Sequence, residues 1–273
     1  MKRVSTKKSK YILNIDFFKK NLRWIILGVL GCIFVFSSTM LIITLFGRFQ
    51  ARYEYEDLRE IATSGQNVTG DVYISDTEER GQNGNSYTEG QIQTTIAINH
   101  EALYELNSDY IGWILIHGTE VNYPIVRCRN NEKYIYTTFL QERNRAGAIF
   151  LDYLTRDRFD RFAILYGHNR EDGTMFTTLH EYRDDIFREE NSFIMIFTPE
   201  HGVLNYRVVD VKVTSVTDKI FTLRGGSQAD INAYIQRYDV ADDTPILVLS
   251  TCTDSWDSNE RLIVVAARSE GLG

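Results

Sequence analysis

The longest apolar run in the chain begins at Trp24 and ends at Phe46, and none of its 23 residues is charged. An α-helix rises about 1.5 Å per residue, so this run would extend roughly 35 Å. The hydrocarbon core of a bilayer is about 30 Å thick. The pattern therefore predicts one transmembrane helix over residues 24–46.

Two other interpretations of this run fit less well. A cleaved signal peptide has an apolar core of about 7–15 residues and small residues at its cleavage site, and the run shows neither feature. Cleavage before Cys32, as in a lipoprotein, would leave residues 33–46 apolar where a solvated tether is expected. We therefore expect an uncleaved membrane anchor.

The stretch after the predicted anchor contains few long apolar runs. Gly47 to Ala62 is rich in helix formers, with apolar side chains at roughly helical spacing, which predicts a helix leading out of the membrane. Thr63 to Gln91 is polar and rich in glycine, which is typical of a mobile stalk. We assign residues 47–97 to this helix and stalk.

From residue 98 onward, short apolar or alternating runs are separated by turn residues. Helical spacing predicts helices at Ile98–Leu106, Thr174–Tyr182 and Gln228–Tyr238. Eight short strands in about 160 residues predict a mainly β domain over residues 98–273, an eight-stranded barrel with the last helix between strands six and seven. The predicted strands are Trp113–Ile116, Val121–Val126, Gly147–Leu151, Phe162–Tyr166, Ser192–Phe197, Leu204–Thr214, Ile246–Cys252 and Leu262–Arg268.

Charge is divided unevenly along the chain. Residues 1–23 carry eight basic side chains and one acidic side chain, a net charge of +7, while the whole chain carries −7. The remainder therefore carries −14, which argues against binding to a nucleic-acid backbone. Because basic residues flank the cytoplasmic side of membrane spans, we expect residues 1–23 in the cytoplasm and the main domain outside the cell membrane.

The predicted strand Ile246–Cys252 ends in a cysteine, and Arg261 opens the next apolar run after a polar loop. Two strands joined by a loop are most simply antiparallel neighbours, which would put the thiol beside the guanidinium. A fixed positive charge favours the thiolate, or stabilises an oxyanion formed when sulfur attacks a carbonyl. Taken alone, this pattern also fits a buried structural cysteine and a surface arginine.

Motifs of several other enzyme classes are absent from the sequence. There is no G-x-S-x-G, H-E-x-x-H, P-loop or G-x-G-x-x-G pattern. No Cys/His cluster has metal-ligand spacing, so we expect neither a metal nor another cofactor. Cys128 and Cys252 could pair in an oxidising compartment. If Cys252 is a working thiol, Cys128 is instead expected to be a lone buried residue.

A cysteine nucleophile needs a proton donor and acceptor, which is most often histidine. His168 follows the predicted strand Phe162–Tyr166 and precedes a polar turn, so it sits at a strand end much as Cys252 does. From spacing alone, His168 fits a strand-end residue without a catalytic role equally well. The pattern predicts His180 and His201 as surface histidines.

Three short motifs together resemble the sortases of Gram-positive bacteria. They are Tyr-Gly-His-Asn at 166–169, Leu-Ser-Thr-Cys at 249–252, and an arginine nine residues after the cysteine. The segments at 107–113, 121–126, 147–152 and 166–176, and the helix between strands six and seven, are similar to class B sortases in particular. The resemblance covers about residues 98–268.

The resemblance implies a membrane-anchored cysteine transpeptidase with a sortase-like barrel. It cleaves a C-terminal sorting signal of secreted proteins through a thioester and joins the product to a peptidoglycan amine. In these roles Cys252 is the nucleophile, His168 the proton shuttle, and Arg261 the group that holds the oxyanion or the substrate backbone. By similarity, the substrate-binding residues would be Asn131, Ile135, Tyr234, Ile235 and Ser250.

Several alternatives stay open at this level. Thr253 stands where some relatives carry an acid, so substrate contacts just after the cysteine are undetermined. Asp254 and Asp257 are expected to be solvated loop acids, although either could orient His168. A pilus-polymerising sortase, with a pilin lysine as acceptor, has the same motifs. A membrane-tethered binding module without turnover is the alternative outside enzymology.

Overall fold

The computed structural model describes residues 15–64, 97–155, 158–253 and 259–269. The predicted stalk from residue 65 onward, Asp254 and Asp257 lie outside these residues. Most of the described chain forms helices and strands. The α-helices are α1 Ile15–Thr63, α2 His100–Leu106, α3 Asp185–Glu190 and α4 Gln228–Ile235, and the strands are β1 Tyr110–Leu115, β2 Asn122–Val126, β3 Ile149–Leu151, β4 Phe162–Tyr166, β5 Phe193–Thr198, β6 Gly202–Ser215, β7 Ile246–Cys252 and β8 Glu260–Arg268.

The eight strands in the described part of the chain close into a barrel in the order β1-β2-β3-β4-β7-β8-β6-β5. This confirms the predicted eight-stranded barrel. Strand β4 runs parallel to β7, and β2 runs parallel to β3. The other neighbouring pairs are antiparallel, including β7 with β8. Because β4 and β7 run in the same direction, their carboxyl ends meet at the same edge of the sheet.

Side chains alternate between two buried clusters along β4, β7 and β8, as the two-residue period of a strand requires. One cluster, which includes Leu165, Leu249 and Val264, joins side chains from all eight strands, and we call it the inner cluster. The other, which we call the outer cluster, contains Ile164 and Val248 together with side chains of α4 and of the 3₁₀ helix Lys219–Gly225. Burial on both faces explains why residues 162–165 of β4 and 246–249 of β7 are uninterrupted apolar runs.

Helix α1 is longer than either helix predicted in this region, because it includes both the apolar run 24–46 and the stretch 47–62. The chain divides into two compact units at Gly47 and Arg48. In the first unit the large apolar side chains of the run are exposed, and the helix is long and apolar enough to cross a membrane. In the second unit Tyr55 and Leu58 of α1 are buried against the barrel domain.

The sequence pattern predicts β4 and β7 with their observed bounds, but it misses several short helices. The predicted helix 174–182 is a 3₁₀ helix at Thr177–Arg183, hereafter the 177–183 helix. Helix α3 and the 3₁₀ helix Lys219–Gly225 are not predicted. Each has six or seven residues, too few for a periodic signal, and each begins at an aspartate cap, Asp184 for α3 and Asp218 for the 3₁₀ helix.

Candidate active site

The carboxyl ends of β4 and β7 carry the predicted histidine and cysteine to the same level of the sheet. Tyr166 pairs with Ser250 in the parallel ladder, and the amide of Gly167 donates to the carbonyl of Ser250 at 3.2 Å. His168 and Cys252 each follow this rung by two residues. Neighbouring strands lie about 4.8 Å apart, so both residues sit at one edge of the barrel.

Cys252 is directly opposite Arg261 in the antiparallel ladder of β7 and β8. The backbone N–H of Ile246 and the C=O of Ser250 point toward β4. Every second residue of a strand points its N–H and C=O to the same side, so those of Cys252 also point toward β4 and away from β8. Cys252 and Arg261 therefore form a non-hydrogen-bonded pair, the kind in which side chains lie closest, with Cα atoms about 4.5 Å apart. Both side chains lie on the face of the sheet that carries the outer cluster, and Cys252 is exposed.

The imidazole of His168 is held by the chain between β2 and β3. Its Nε2 lies 2.7 Å from the carbonyl oxygen of Ile135, and the ring of Tyr136 is tilted against it with centroids 6.2 Å apart. A carbonyl only accepts hydrogen bonds, so Nε2 carries the proton. In the neutral ring, Nδ1 is then the unprotonated nitrogen that can take up a proton.

Gly147 lets this loop approach the histidine. Its φ is +61°, and a Cβ there would lie 2.5 Å from the carbonyl oxygen of Tyr134, 2.7 Å from that of Ile135 and 3.2 Å from Cδ2 of His168. Its own carbonyl accepts a 2.6 Å hydrogen bond from the Tyr55 hydroxyl of α1. The backbone that positions His168 thus needs a residue without a side chain.

A buried carboxylate lies beneath the same edge. Asp152, which is fully buried, accepts hydrogen bonds from Tyr166 and Asn131, both at 2.9 Å, and its Oδ2 lies 3.0 Å from Nε of Arg224. The backbone amide of Tyr153 donates to the other end of the Asn131 amide at 3.0 Å. Burial, followed by the charge of Asp152, raises the pKa of the Tyr166 hydroxyl, which therefore remains a donor. The network joins β4, the end of β3 and the Lys219–Gly225 helix.

The five predicted substrate-binding residues divide into two groups. Ile135 is partly exposed beside His168, Asn131 belongs to the Asp152 network, and Ser250 is buried two residues before Cys252 on the same face. Tyr234 and Ile235 are buried within the outer cluster. Neither residue has appreciable exposed surface, and their role in substrate binding stays a prediction.

Two residues differ from the sequence-based interpretation. Cys128 is a free cysteine, as expected beside a working Cys252, but it is partly exposed and its thiol donates to the carbonyl of Asn130 at 3.0 Å. His180 is partly exposed, yet its Nε2 donates to the carbonyl oxygen of Cys252 at 3.0 Å. No spacing signal indicates this contact, because it arises where the 177–183 helix returns to the end of β7.

A family model for the sortase domain matches residues 114–269, more than half of the chain. The chain belongs to the sortase family. It is 31% identical over 179 residues to sortase B of Listeria monocytogenes, and this alignment covers 61% of this chain and 72% of that protein. These comparisons confirm the class B resemblance. Sortases are cysteine transpeptidases, so the protein is an enzyme of that type.

Solved sortase B structures have the same fold. The Bacillus anthracis enzyme superposes with a TM-score of 0.63 at 23% identity and covers 83% of this chain and all of that one. A Staphylococcus aureus sortase B–substrate complex superposes with a TM-score of 0.57 at 28% identity, covering 63% of this chain and 84% of that one.

Proposed function

We propose that this protein is a membrane-anchored class B sortase that attaches secreted proteins to the cell wall. It cleaves their C-terminal sorting signal through a thioester and transfers the product to an amine of peptidoglycan. The observation that carries the proposal is the register of β4, β7 and β8. In that register Cys252 faces Arg261 on one side, while His168 follows the adjacent strand at the same level.

In the first half-reaction, the Cys252 thiolate attacks the scissile peptide carbonyl and a carbon–sulfur bond forms. The carbonyl oxygen becomes an oxyanion, which the guanidinium of Arg261 stabilises. The carbon–nitrogen bond then breaks as His168 donates a proton to the leaving amine, and a thioester remains.

In the second half-reaction, an acceptor amine attacks the thioester. His168, now neutral, removes the proton from that amine, and the carbon–sulfur bond breaks to regenerate the thiolate. The hydrogen bond from Nε2 to Ile135 leaves Nδ1 as the nitrogen that carries the proton in both steps. A guanidinium stays protonated at accessible pH, so Arg261 does not serve as the base.

Relatives support the nature of both substrates. The S. aureus sortase B has been solved as a substrate complex, and another sortase B structure contains triglycine, a peptide with a free amine. We propose that a sorting-signal peptide contacts Asn131, Ile135, Tyr234, Ile235 and Ser250 here, and that the acceptor amine approaches the thioester from the His168 side.

The chain is proposed to be organised for work at the outer cell surface. Residues 1–23 would be cytoplasmic, 24–46 would span the membrane, 47–97 would form a helix and extracellular stalk, and 98–273 would form the catalytic domain. The uncharged run behind a basic segment supports this arrangement, as do the exposed apolar side chains of α1 between Trp24 and Phe46.

A peptide library tests the cleavage reaction. We would incubate residues 48–273, the second compact unit, and the full chain in detergent with the library, and identify the cut products by mass spectrometry. Cys252→Ala, His168→Ala and Arg261→Ala should each abolish cleavage, and a chelator should leave the rate unchanged. Full activity in Cys252→Ala would rule out the mechanism.

The acceptor is tested by competition between two amines. A peptidoglycan stem-peptide amine and a pilin-type lysine peptide would be supplied together with an intact, cleavable sorting peptide. Transfer to the stem peptide supports wall anchoring, and transfer to the lysine peptide supports pilus assembly. A chain that binds the peptide without cutting it would instead be a binding module.

A further inference from the structure

The backbone carbonyl of Cys252 lies at the end of β7, beyond the last backbone hydrogen bond that β7 makes with the β4 segment. On the β4 side of β7, the amide of Ile246 donates to the carbonyl of Arg161 at 2.7 Å, and the carbonyl of Ser250 accepts from the amide of Gly167 at 3.2 Å. Cys252 is in phase with both, so its carbonyl also faces β4. In a continuing parallel ladder the next donor would be the amide of Asn169.

At that point the chain leaves the ladder. After His168 it turns outward into a hairpin that is closed by a bridge between Asn169 and Met175. The 177–183 helix then returns, and Nε2 of His180 donates to the Cys252 carbonyl at 3.0 Å. A side chain therefore occupies the position of the next ladder donor and supplies this carbonyl with a hydrogen bond.

The helix that carries His180 is firmly joined to the segment that carries His168. The amide of Phe176 donates to the carbonyl of His168 at 3.0 Å. Phe176, Leu179 and Tyr182 are fully buried in the inner cluster. His180 thus links the strand end that bears the sulfur to the same rigid segment that bears the proton shuttle.

We propose that His180 is a positioning residue for the nucleophile. Its hydrogen bond holds the last peptide plane of β7, between Cys252 and Thr253, at the level of His168. Because a trans peptide is planar, holding the carbonyl also sets the direction of the Thr253 N–H on the opposite side. This role rests on the proposed function of Cys252 as nucleophile.

Three substitutions at one position test the proposal. His180→Ala removes the donor, His180→Gln places an N–H close to the position of Nε2, and His180→Asn carries the same amide on a side chain too short to reach. We would measure the alkylation rate of Cys252 by iodoacetamide, read by peptide mapping, and kcat and KM for a library-selected peptide. The thermal unfolding midpoint reports folding.

The Ala and Asn variants should lower kcat by about 3- to 10-fold, the range set by one net hydrogen bond. Their KM should change by less than about 2-fold, because the bond fixes the reacting group rather than the peptide. The Gln variant should recover most of the wild-type kcat and alkylation rate. His201→Ala, an exposed histidine on the turn before β6, is the matched control and should behave as wild type.

Two results would overturn the role of His180 while leaving the proposed function intact. One is wild-type kcat and alkylation rate in His180→Ala, and the other is a Gln variant as slow as the Asn variant at equal thermal midpoints. If His180→Ala does not fold, the comparison of Gln with Asn decides alone. Wild-type protein that neither turns over nor reacts at Cys252 would instead overturn the proposed function, and this role with it.

Discussion

The two sides of the candidate active site are positioned by different kinds of contact. Cys252 and Arg261 face each other as the last pair of a regular antiparallel ladder, in which consecutive residues of β7 and β8 are paired without interruption. His168 lies beyond the end of its strand and is held by one carbonyl, that of Ile135, and by the close approach of Gly147. The ladder side should therefore tolerate substitution without losing its geometry, whereas the loop side should lose geometry and stability together.

The largest expected effect is on the ladder side. Arg261→Ala should leave no detectable cleavage, a fall in kcat/KM of at least about 10²- to 10³-fold, since one group that stabilises an oxyanion typically contributes that much. Unfolding in urea should change little, because the ladder supplies the fold. Arg261→Lys should recover only part of the rate, since an ammonium keeps the charge and loses the planar fork. Arg207→Ala, an exposed arginine on β6, is the control, and an equal loss in it would contradict a local role.

A substitution on the loop side should damage the fold as well as the rate. Gly147→Ala combines a positive φ with contacts below 3 Å to two backbone oxygens, so the unfolding free energy should fall by about 3 kcal/mol. Activity should fall with it as Ile135 moves away from His168.

Gly202→Ala is the matched control for that strain. Gly202 has a φ of +66° with nothing within 4 Å of its added Cβ, so it should lose only about 1 kcal/mol. Equal losses in the two variants, measured by urea denaturation, would show that crowding at Gly147 does not matter.

The Asp152 network lies on the His168 side, where it holds Tyr166, two residues before His168, and Asn131. Asp152→Asn removes the buried charge that faces Arg224 and turns one acceptor into a donor, so it should destabilise the protein by about 2 kcal/mol. It should also raise KM, because Asn131 loses its partner. Asp160→Asn, an exposed carboxylate, should change neither quantity. A variant as stable as wild type would mean that the network does not support the site.

The smallest expected effect is pH-dependent and lies in the hairpin after His168. Burial opposes the charge of Asp172, but hydrogen bonds from Arg170 and Thr174 outweigh it and lower the pKa of Asp172 to about 2. Its stabilising contribution is complete above the ordinary carboxyl pKa of about 4 and is lost as the pH falls through about 2. Asp172→Asn should cost about 1 kcal/mol at pH 7, allowing for solvent screening. Urea titrations should show that difference shrinking as the pH falls from about 4 toward 2 and disappearing below about 2, and a pH-independent difference would contradict this.

The contrast between ladder and loop also explains what the sequence could predict. The apolar runs of β4 and β7 give their bounds directly, and the loop after Cys252 predicts that Arg261 returns beside it. The parallel pairing of β4 with β7, which brings His168 level with Cys252, joins residues more than 80 positions apart and has no local signal.

The hydrophobic and polar pattern of the sequence likewise does not predict the contacts that hold His168 and the Cys252 backbone. These contacts are the carbonyl of Ile135, the missing side chain of Gly147 and the imidazole of His180. Each depends on a backbone atom or on one side chain, and all three residue types are common in loops. A pattern of hydrophobic and polar positions describes which faces are buried. It does not report which carbonyl a loop presents to a particular ring.

The most direct test of the central claim is the intact mass of the protein after incubation with a cleavable sorting peptide in the absence of an acceptor amine. We expect an adduct of the N-terminal product joined as a thioester, mapped to Cys252 and released by hydroxylamine. It should be absent in both Cys252→Ala and His168→Ala. An adduct on another residue, or product release from Cys252→Ala at the wild-type rate, would contradict the claim.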